Sequence, residues 1–154
     1  MRGAGAWLLP GALLLVGCED SAGPELEPDA AIGFWSLATV DGNAPPYLLI
    51  LAPGFRLDLM DDELLIAEDS TYVEVRSYRE TISTTTGDST STYEDLVSGR
   101  WKRGSGSTIT LTETGRPAET ATVAKARLTL EFNGVVMVFE KQNQPMRATV
   151  RRMK

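Results

Sequence analysis

Residues 127–141 place the strongest constraint on the fold, because their apolar side chains recur at every second position. Leu128, Leu130 and Phe132 alternate with polar residues, as in a β-strand that buries one face. Asn133-Gly134 follows, and this pair suits a type I′ turn, in which both central residues have positive φ. A second apolar run comes directly after the turn. The sequence therefore predicts an antiparallel hairpin.

The same alternation recurs upstream, with turn residues between the runs. It predicts strands at residues 34–40, 64–67, 72–82, 96–102, 108–112 and 120–124. We expect a bulge near Ser77, where the alternation changes phase, and a polar loop at residues 84–91. Residues 45–60 fit either strands or a short helical turn. About eight strands without a long helix predict an all-β domain, either a two-layer sandwich or an up-and-down antiparallel barrel. The barrel is favoured because closure leaves no exposed sheet edge.

Composition narrows the possible functions. The chain of 154 residues is long enough for one domain and carries a net charge of −6. Nucleic acid is therefore a poor partner, since binding to phosphates requires a basic surface. The chain has no histidine, the commonest general base and metal ligand near neutral pH. Its single cysteine excludes a disulfide within the chain and a thiolate metal cluster.

The first 17 residues have the composition of an export signal. Arg2 precedes an apolar stretch at residues 4–16, which is shorter than the ~20 residues that a membrane-spanning helix requires. Arg2 is the only charged residue before position 18, so its removal would bring the net charge from −6 to −7. Residues 1–17 are therefore predicted to be a signal peptide.

Leu15-Val16-Gly17-Cys18 resembles the lipobox of bacterial lipoproteins. The resemblance implies cleavage before Cys18 and acyl chains on that cysteine, with each buried CH₂ contributing roughly 0.8 kcal/mol to membrane binding. Residues 18–31 are then the lipidated cysteine and a flexible tether, and residues 32–154 are the folded domain. Glu19 rather than Asp follows the cysteine, which favours the outer membrane, facing the periplasm, over retention in the inner membrane.

Gly33-Phe34-Trp35 resembles the Gly-x-Trp motif at the start of the first lipocalin strand. Residues 33–46 and 98–140 are similar to the opening and closing parts of small lipocalin-like domains in bacterial lipoproteins. The resemblance implies that Trp35 closes the barrel floor against a basic side chain, for which Lys141 and Arg147 are the candidates. It also implies a small apolar ligand as one possible cargo, and the chain is shorter than a typical lipocalin.

Several acidic residues and serines have side chains that could serve in a catalytic or metal site. Asp61-Asp62-Glu63 could hold calcium, but it lacks the spacing of an EF-hand loop, so a solvated turn is the preferred interpretation. No histidine is present to activate a serine, and Glu113 and Glu131 are expected to face solvent. The sequence therefore predicts no catalytic residues, no metal ligands and no cofactor.

Two further features are assigned to ordinary structure. The aromatic residues of the strands are expected to pack in the core or against each other across strands rather than to line a pocket; they are Trp101, Tyr47, Tyr72, Tyr78 and Tyr93. The basic residues 147–154 are expected to form a solvated terminus. The functional prediction is a lipid-anchored barrel that binds a small apolar ligand. The alternative is a barrel filled by its own side chains that contacts another envelope protein.

Overall fold

The computed structural model describes residues 30–132 and 134–143, which contain nine β-strands and no helix. The strands are β1 (Gly33–Val40), β2 (Tyr47–Ala52), β3 (Phe55–Ile66), β4 (Thr71–Thr84), β5 (Gly87–Arg103), β6 (Thr108–Thr112), β7 (Glu119–Ala124), β8 (Arg127–Phe132) and β9 (Val135–Gln142). The predicted hairpin is confirmed as β8 and β9, with Phe132 opposite Val135.

Eight of these strands close into an antiparallel barrel. Each strand from β3 to β8 pairs with the next one in the chain, β9 pairs with β1, and β1 pairs with β3. The closing contact runs from Gly33 opposite Ile66 to Ser36 opposite Glu63. The predicted barrel is thus confirmed, and the sandwich alternative is wrong. Closure pairs the backbone N–H and C=O groups of β1 and β3, which an open sheet would leave without partners at its edges.

A four-stranded ribbon continues the sheet beyond the closed barrel. It consists of residues 47–52, 55–59, 78–84 and 87–93 from β2, β3, β4 and β5. The polar loop predicted at residues 84–91 is wrong, because the β4–β5 ladder extends to Thr84 opposite Gly87. The threonine and serine side chains of residues 84–91 are exposed on both faces of the ribbon. Because neither face is buried, the sequence has no apolar alternation there that would predict strands.

Strand β3 contains the bulge that the sequence placed in its neighbour. Leu59 lies opposite Tyr78 and Asp61 opposite Ser77, so Met60 is the additional residue. The bulge is therefore at the predicted level of the sheet but not in β4. The predicted turn at residues 61–63 is also wrong, since β3 runs through it without interruption.

The barrel core follows the predicted alternation in most strands. Buried side chains from β5, β6 and β8 include Val97, Trp101, Ile109, Leu111, Leu128 and Leu130. Phe132 departs from the pattern: it lies in the last position of β8 and is 40% exposed. The alternation shows which side chains share one face of a strand, but it does not show how far along the strand that face remains buried.

Candidate functional site

Trp35 lies near the start of β1, between its strand partners Leu64 of β3 and Lys141 of β9. Its side chain is buried, and its indole Nε1 donates a hydrogen bond of 2.9 Å to the carbonyl oxygen of Ala31. The Nζ atom of Lys141 lies 5.3 Å from the centre of the indole ring, within the range of a cation–π contact. Of the two basic residues considered for this position, Lys141 is thus the one above the ring, while Arg147 lies outside the described residues.

Gly33 is required at this end by both conformation and space. Its φ of 137° lies in a region that residues with a side chain rarely adopt. A Cβ at this position would approach the Cε atom of Lys141 to 2.9 Å. The same lysine donates a hydrogen bond of 2.9 Å from Nζ to the carbonyl oxygen of Ala30. The Gly-x-Trp pair thus places the lysine over the ring and joins it to the chain segment that enters the barrel.

The barrel interior is charged farther from Trp35. Leu64 is the β3 partner of Trp35, and Asp62 lies two residues nearer the other end of the barrel. Asp62 is opposite Arg76 of β4, whose Nε atom lies 3.4 Å from Asp62 Oδ2. Arg76 also contacts Glu74, with Nη2 at 2.7 Å from Oε1. Asp62 has no exposed surface and Glu74 is 4% exposed, so these are charges within the core.

The carboxyl group of Asp62 is incompletely paired. Within the described residues, no N–H group donates a hydrogen bond to either of its oxygens, whereas the carboxyl group of Glu74 lies close enough to share a proton with it. Burial and the neighbouring carboxyl group of Glu74 raise the pKa of Asp62 well above its ordinary value of 3.8, although Arg76 opposes the shift. The physical consequence is that Asp62 keeps its proton to a higher pH than an exposed carboxyl group does, since one arginine neutralises only one of two adjacent carboxylates.

Further polar groups surround this pair. Burial and then the charge of Glu74 raise the pKa of Glu119, which is half-buried at the start of β7. The same two causes raise the pKa of the buried Tyr72 to about 12. Burial opposes the charge on Arg76, but Glu74 and Asp62 outweigh it and raise the arginine pKa. The charged end of the interior, defined as Asp62, Glu74, Arg76 and Glu119, therefore holds three acids and one base.

This arrangement suits a ligand that donates hydrogen bonds or carries positive charge. A donor placed at Asp62 would satisfy oxygens that lack one, and a cation would replace the retained proton. Sequence reasoning missed the site because Asp62 stands in a run of three acids, a pattern typical of surface turns. Alternation in β4 was the available signal: Tyr72, Glu74 and Arg76 occupy successive positions of one face.

The remaining sequence candidates lie elsewhere. The packing prediction for the aromatic residues is confirmed for Trp101, whose Nε1 donates to the carbonyl oxygen of Ala67, and for the Tyr78–Tyr93 ring contact. Glu131 is exposed, as predicted, whereas Glu113 is partly buried and pairs with Arg116 at 3.2 Å. Cys18 and residues 147–154 lie outside the described residues.

No group of three or more acidic, cysteine or histidine residues in the described part of the chain is arranged to hold a metal ion. Among the same residues, no helix has the length and hydropathy needed to cross a membrane.

Replacing Asp62 with Asn should change how stability depends on pH. The folded protein retains a proton on Asp62 that the unfolded chain releases above pH 3.8, so Asp62 favours folding at low pH and opposes it as pH rises through the folded-state pKa. The unfolding free energy of the wild type should therefore fall relative to that of Asp62→Asn between acidic and neutral pH. Urea titrations at several pH values measure this difference. Parallel curves for the two proteins, as expected for the exposed control Glu131→Gln, would contradict it.

Comparison of the chain with known protein families, curated proteins and solved structures finds no match in any of the three. The function therefore has to be inferred from the residues themselves.

Proposed function

We propose that this protein is a lipid-anchored lipoprotein of the bacterial cell envelope whose lipocalin-like barrel binds a small ligand. The lipobox at residues 15–18 and the apolar stretch before it support the anchor. The absence of Asp after Cys18 supports the outer membrane, facing the periplasm. The Gly33-x-Trp35 motif and the eight-stranded closed barrel support the lipocalin-like assignment.

The observation that carries the binding proposal is the charge buried inside the barrel. A small barrel of eight strands can be filled by apolar side chains alone. Replacing a buried ion pair with apolar residues is often neutral or stabilising, so the charges are not needed for stability. Asp62, Glu74 and Arg76 nevertheless lie in the interior, and no N–H group of the described residues donates a hydrogen bond to Asp62. Such a departure from a well-satisfied core is typical of a functional site.

The interior indicates a ligand with two parts. Apolar side chains of Leu37, Leu111, Leu130 and Met137 are buried alongside the charged end. An apolar body would contact these residues, while an amine or another donor group would reach Asp62 and Glu74. The proposed cargo is thus an apolar molecule with one polar, preferably cationic, end.

Native mass spectrometry of the protein purified from its own membrane tests the binding proposal. The wild type should retain a small molecule in addition to its acyl chains, and Asp62→Asn combined with Glu74→Gln should release it. Glu131→Gln, which changes an exposed acid of β8, should retain the molecule as the wild type does. A wild type that carries only its acyl chains would contradict the proposal.

Replacing Cys18 with Ser tests the anchor separately. Serine lacks the thiol that accepts the lipid, so incorporation of radioactive palmitate should be abolished and the protein should leave the membrane fraction. Labelling is measured after expression in a bacterium that processes lipoproteins. Persistent labelling of Cys18→Ser would contradict the anchor, whatever the barrel binds.

One observation favours the alternative of a lipoprotein that contacts another envelope protein. Within the described residues, β2 pairs only with β3, so its other edge is free. Four consecutive apolar side chains on β2 are 40–72% exposed; they are Leu48, Leu49, Ile50 and Leu51. Apolar strands with a free edge are typical sites of strand addition by a partner. A partner protein retained by the wild type and lost from Leu51→Lys, with no small molecule present, would support this alternative.

A further inference from the structure

The ribbon carries a groove on the face of the sheet opposite to the barrel interior. The groove has a volume of about 540 Å³. Its β3 and β4 residues alternate along the strands and pair across them, Asp58 with Arg79 and Arg56 with Thr81. Thr90 continues the row on β5, opposite Thr81. Consecutive residues of one face therefore line the groove, from a basic end at Arg79 toward the tip of the ribbon.

Two arginines are held side by side at the basic end. The Nε atom of Arg56 donates to both oxygens of Asp58 at 3.0 Å. The Nη2 atom of Arg79 donates to Asp58 Oδ2 at 2.9 Å. Hydrogen bonds from Arg56 lower the pKa of Asp58, and those from Arg79 add to the effect, so this carboxylate is charged at neutral pH. One buried anion thus fixes two cations, and the group carries a net charge of +1.

Each guanidinium has unused donors. Both arginines contact Asp58 through Nε and Nη2, and within the described residues neither Nη1 group has an acceptor. The side chains of Arg56 and Arg79 are 50% and 35% exposed, so ligands can reach them. Guanidinium groups in a fixed position bind carboxylates and phosphates through paired hydrogen bonds.

The part of the groove formed by β4 and β5 is polar but not basic, while Leu51, Ala52 and Phe55 give the groove an apolar part on β2 and β3. The hydroxyl groups of Thr81 and Thr90 lie 3.4 Å apart, and Ser83 and Asp88 pair at the next position toward the tip. Ser83 lies four positions after Arg79, which corresponds to about 13 Å along a strand. Asp88 is thus distant from Arg79, and the hydroxyl groups of Thr81 and Thr90 would contact a hydroxylated ligand.

From this geometry we propose that the groove binds the anionic group, carboxylate or phosphate, of a hydroxylated molecule. Arg56 and Arg79 hold the anion, Asp58 positions both arginines, and Thr81 and Thr90 contact the adjoining hydroxyl groups. This site is separate from the charged end of the barrel interior and does not depend on a ligand being bound there.

Amide chemical shifts of the full chain in detergent micelles test the groove. The probes are glucuronate, inorganic phosphate and dihexanoylphosphatidylglycerol, with dihexanoylphosphatidylcholine as the zwitterionic control. We expect saturable shifts at Thr81, Ser83 and Thr90 with at least one anionic probe. Preference for glucuronate or phosphate would indicate a soluble anion, and preference for the phosphatidylglycerol would indicate a lipid headgroup. The absence of shifts at these residues with all three anions would overturn the proposal.

Variants separate binding by the arginines from general attraction of anions. Arg79→Gln and Arg56→Gln should each weaken binding about tenfold, the loss expected for a hydrogen bond between charged groups. Arg127→Gln removes an exposed arginine of β8 and the same amount of charge, and should leave affinity unchanged. Arg79→Lys keeps the charge and disturbs the ribbon least, yet should also weaken binding because lysine lacks the planar fork. Wild-type affinity in Arg79→Gln and Arg79→Lys would overturn the proposal.

Discussion

Replacing Trp35 with Ala should destabilise the protein by about 3–5 kcal/mol, the cost expected for removing a large aromatic side chain from a core. Trp35 is 1% exposed, and its ring lies beneath the ammonium group of Lys141. The substitution removes its buried area, the hydrogen bond to Ala31 and the contact with the lysine together. Urea unfolding followed by far-ultraviolet circular dichroism measures the change.

Two matched variants assign this loss to its causes. Trp35→Phe keeps an aromatic ring but removes the indole donor to Ala31, and should cost about 1 kcal/mol for the hydrogen bond and a further amount for the smaller ring. Phe132→Ala truncates an aromatic residue that is 40% exposed, and should cost clearly less than Trp35→Ala. A loss below about 1 kcal/mol in Trp35→Ala would show that this residue does not close the barrel.

Replacing Arg76 with Met should destabilise the protein by about 3–5 kcal/mol at neutral pH, as removal of one partner from a buried ion pair does. Arg76 is the base that contacts both Asp62 and Glu74, at 3.4 Å and 2.7 Å. Without it, the negative charge that Arg76 neutralises is left buried without a partner and must take up a proton. The loss should therefore be smaller at acidic pH, where protons are abundant.

The controls for Arg76 distinguish charge from packing. Arg103→Met removes an exposed arginine of β5 and should have little effect. Arg76→Met combined with Asp62→Asn and Glu74→Gln removes all three charges and should recover most of the lost stability. If the triple variant is as unstable as Arg76→Met, the loss arises from the arginine's packing and not from uncompensated carboxylates.

The sequence predicts those elements whose pattern follows from burial. The β8–β9 hairpin is an example, because Leu128 and Leu130 are buried while their neighbours are not. Gly33 and Trp35 could be identified from the motif they form, although the identity of the cation above the ring required the fold. Closure could be anticipated only in general, because it depends on the pairing of Gly33 with Ile66, residues far apart in the chain.

The failures have one physical origin. Residues 84–91 form the end of β4, a two-residue turn and the start of β5, and they bury neither face, so their polar character resembles a loop. Asp62 is the opposite case, since it is a charged residue at a buried position where an apolar residue is expected. Its neighbours along β3 are acidic too, and only pairing with Arg76 shows that its side chain faces the core. A charged residue at a buried position interrupts the apolar alternation, so hydrophobic patterning does not identify a site made of such residues.

The carboxyl ¹³C titration of Asp62 by NMR tests the central claim that charged groups lie inside a closed barrel. If Asp62 is enclosed beside Glu74, its pKa lies well above 3.8, and Glu74→Gln brings it down by removing the adjacent acid. A carboxyl group in contact with water has no such shift. A midpoint at or below 3.8 in the wild type would contradict both the enclosed position of Asp62 and the binding site inferred from it.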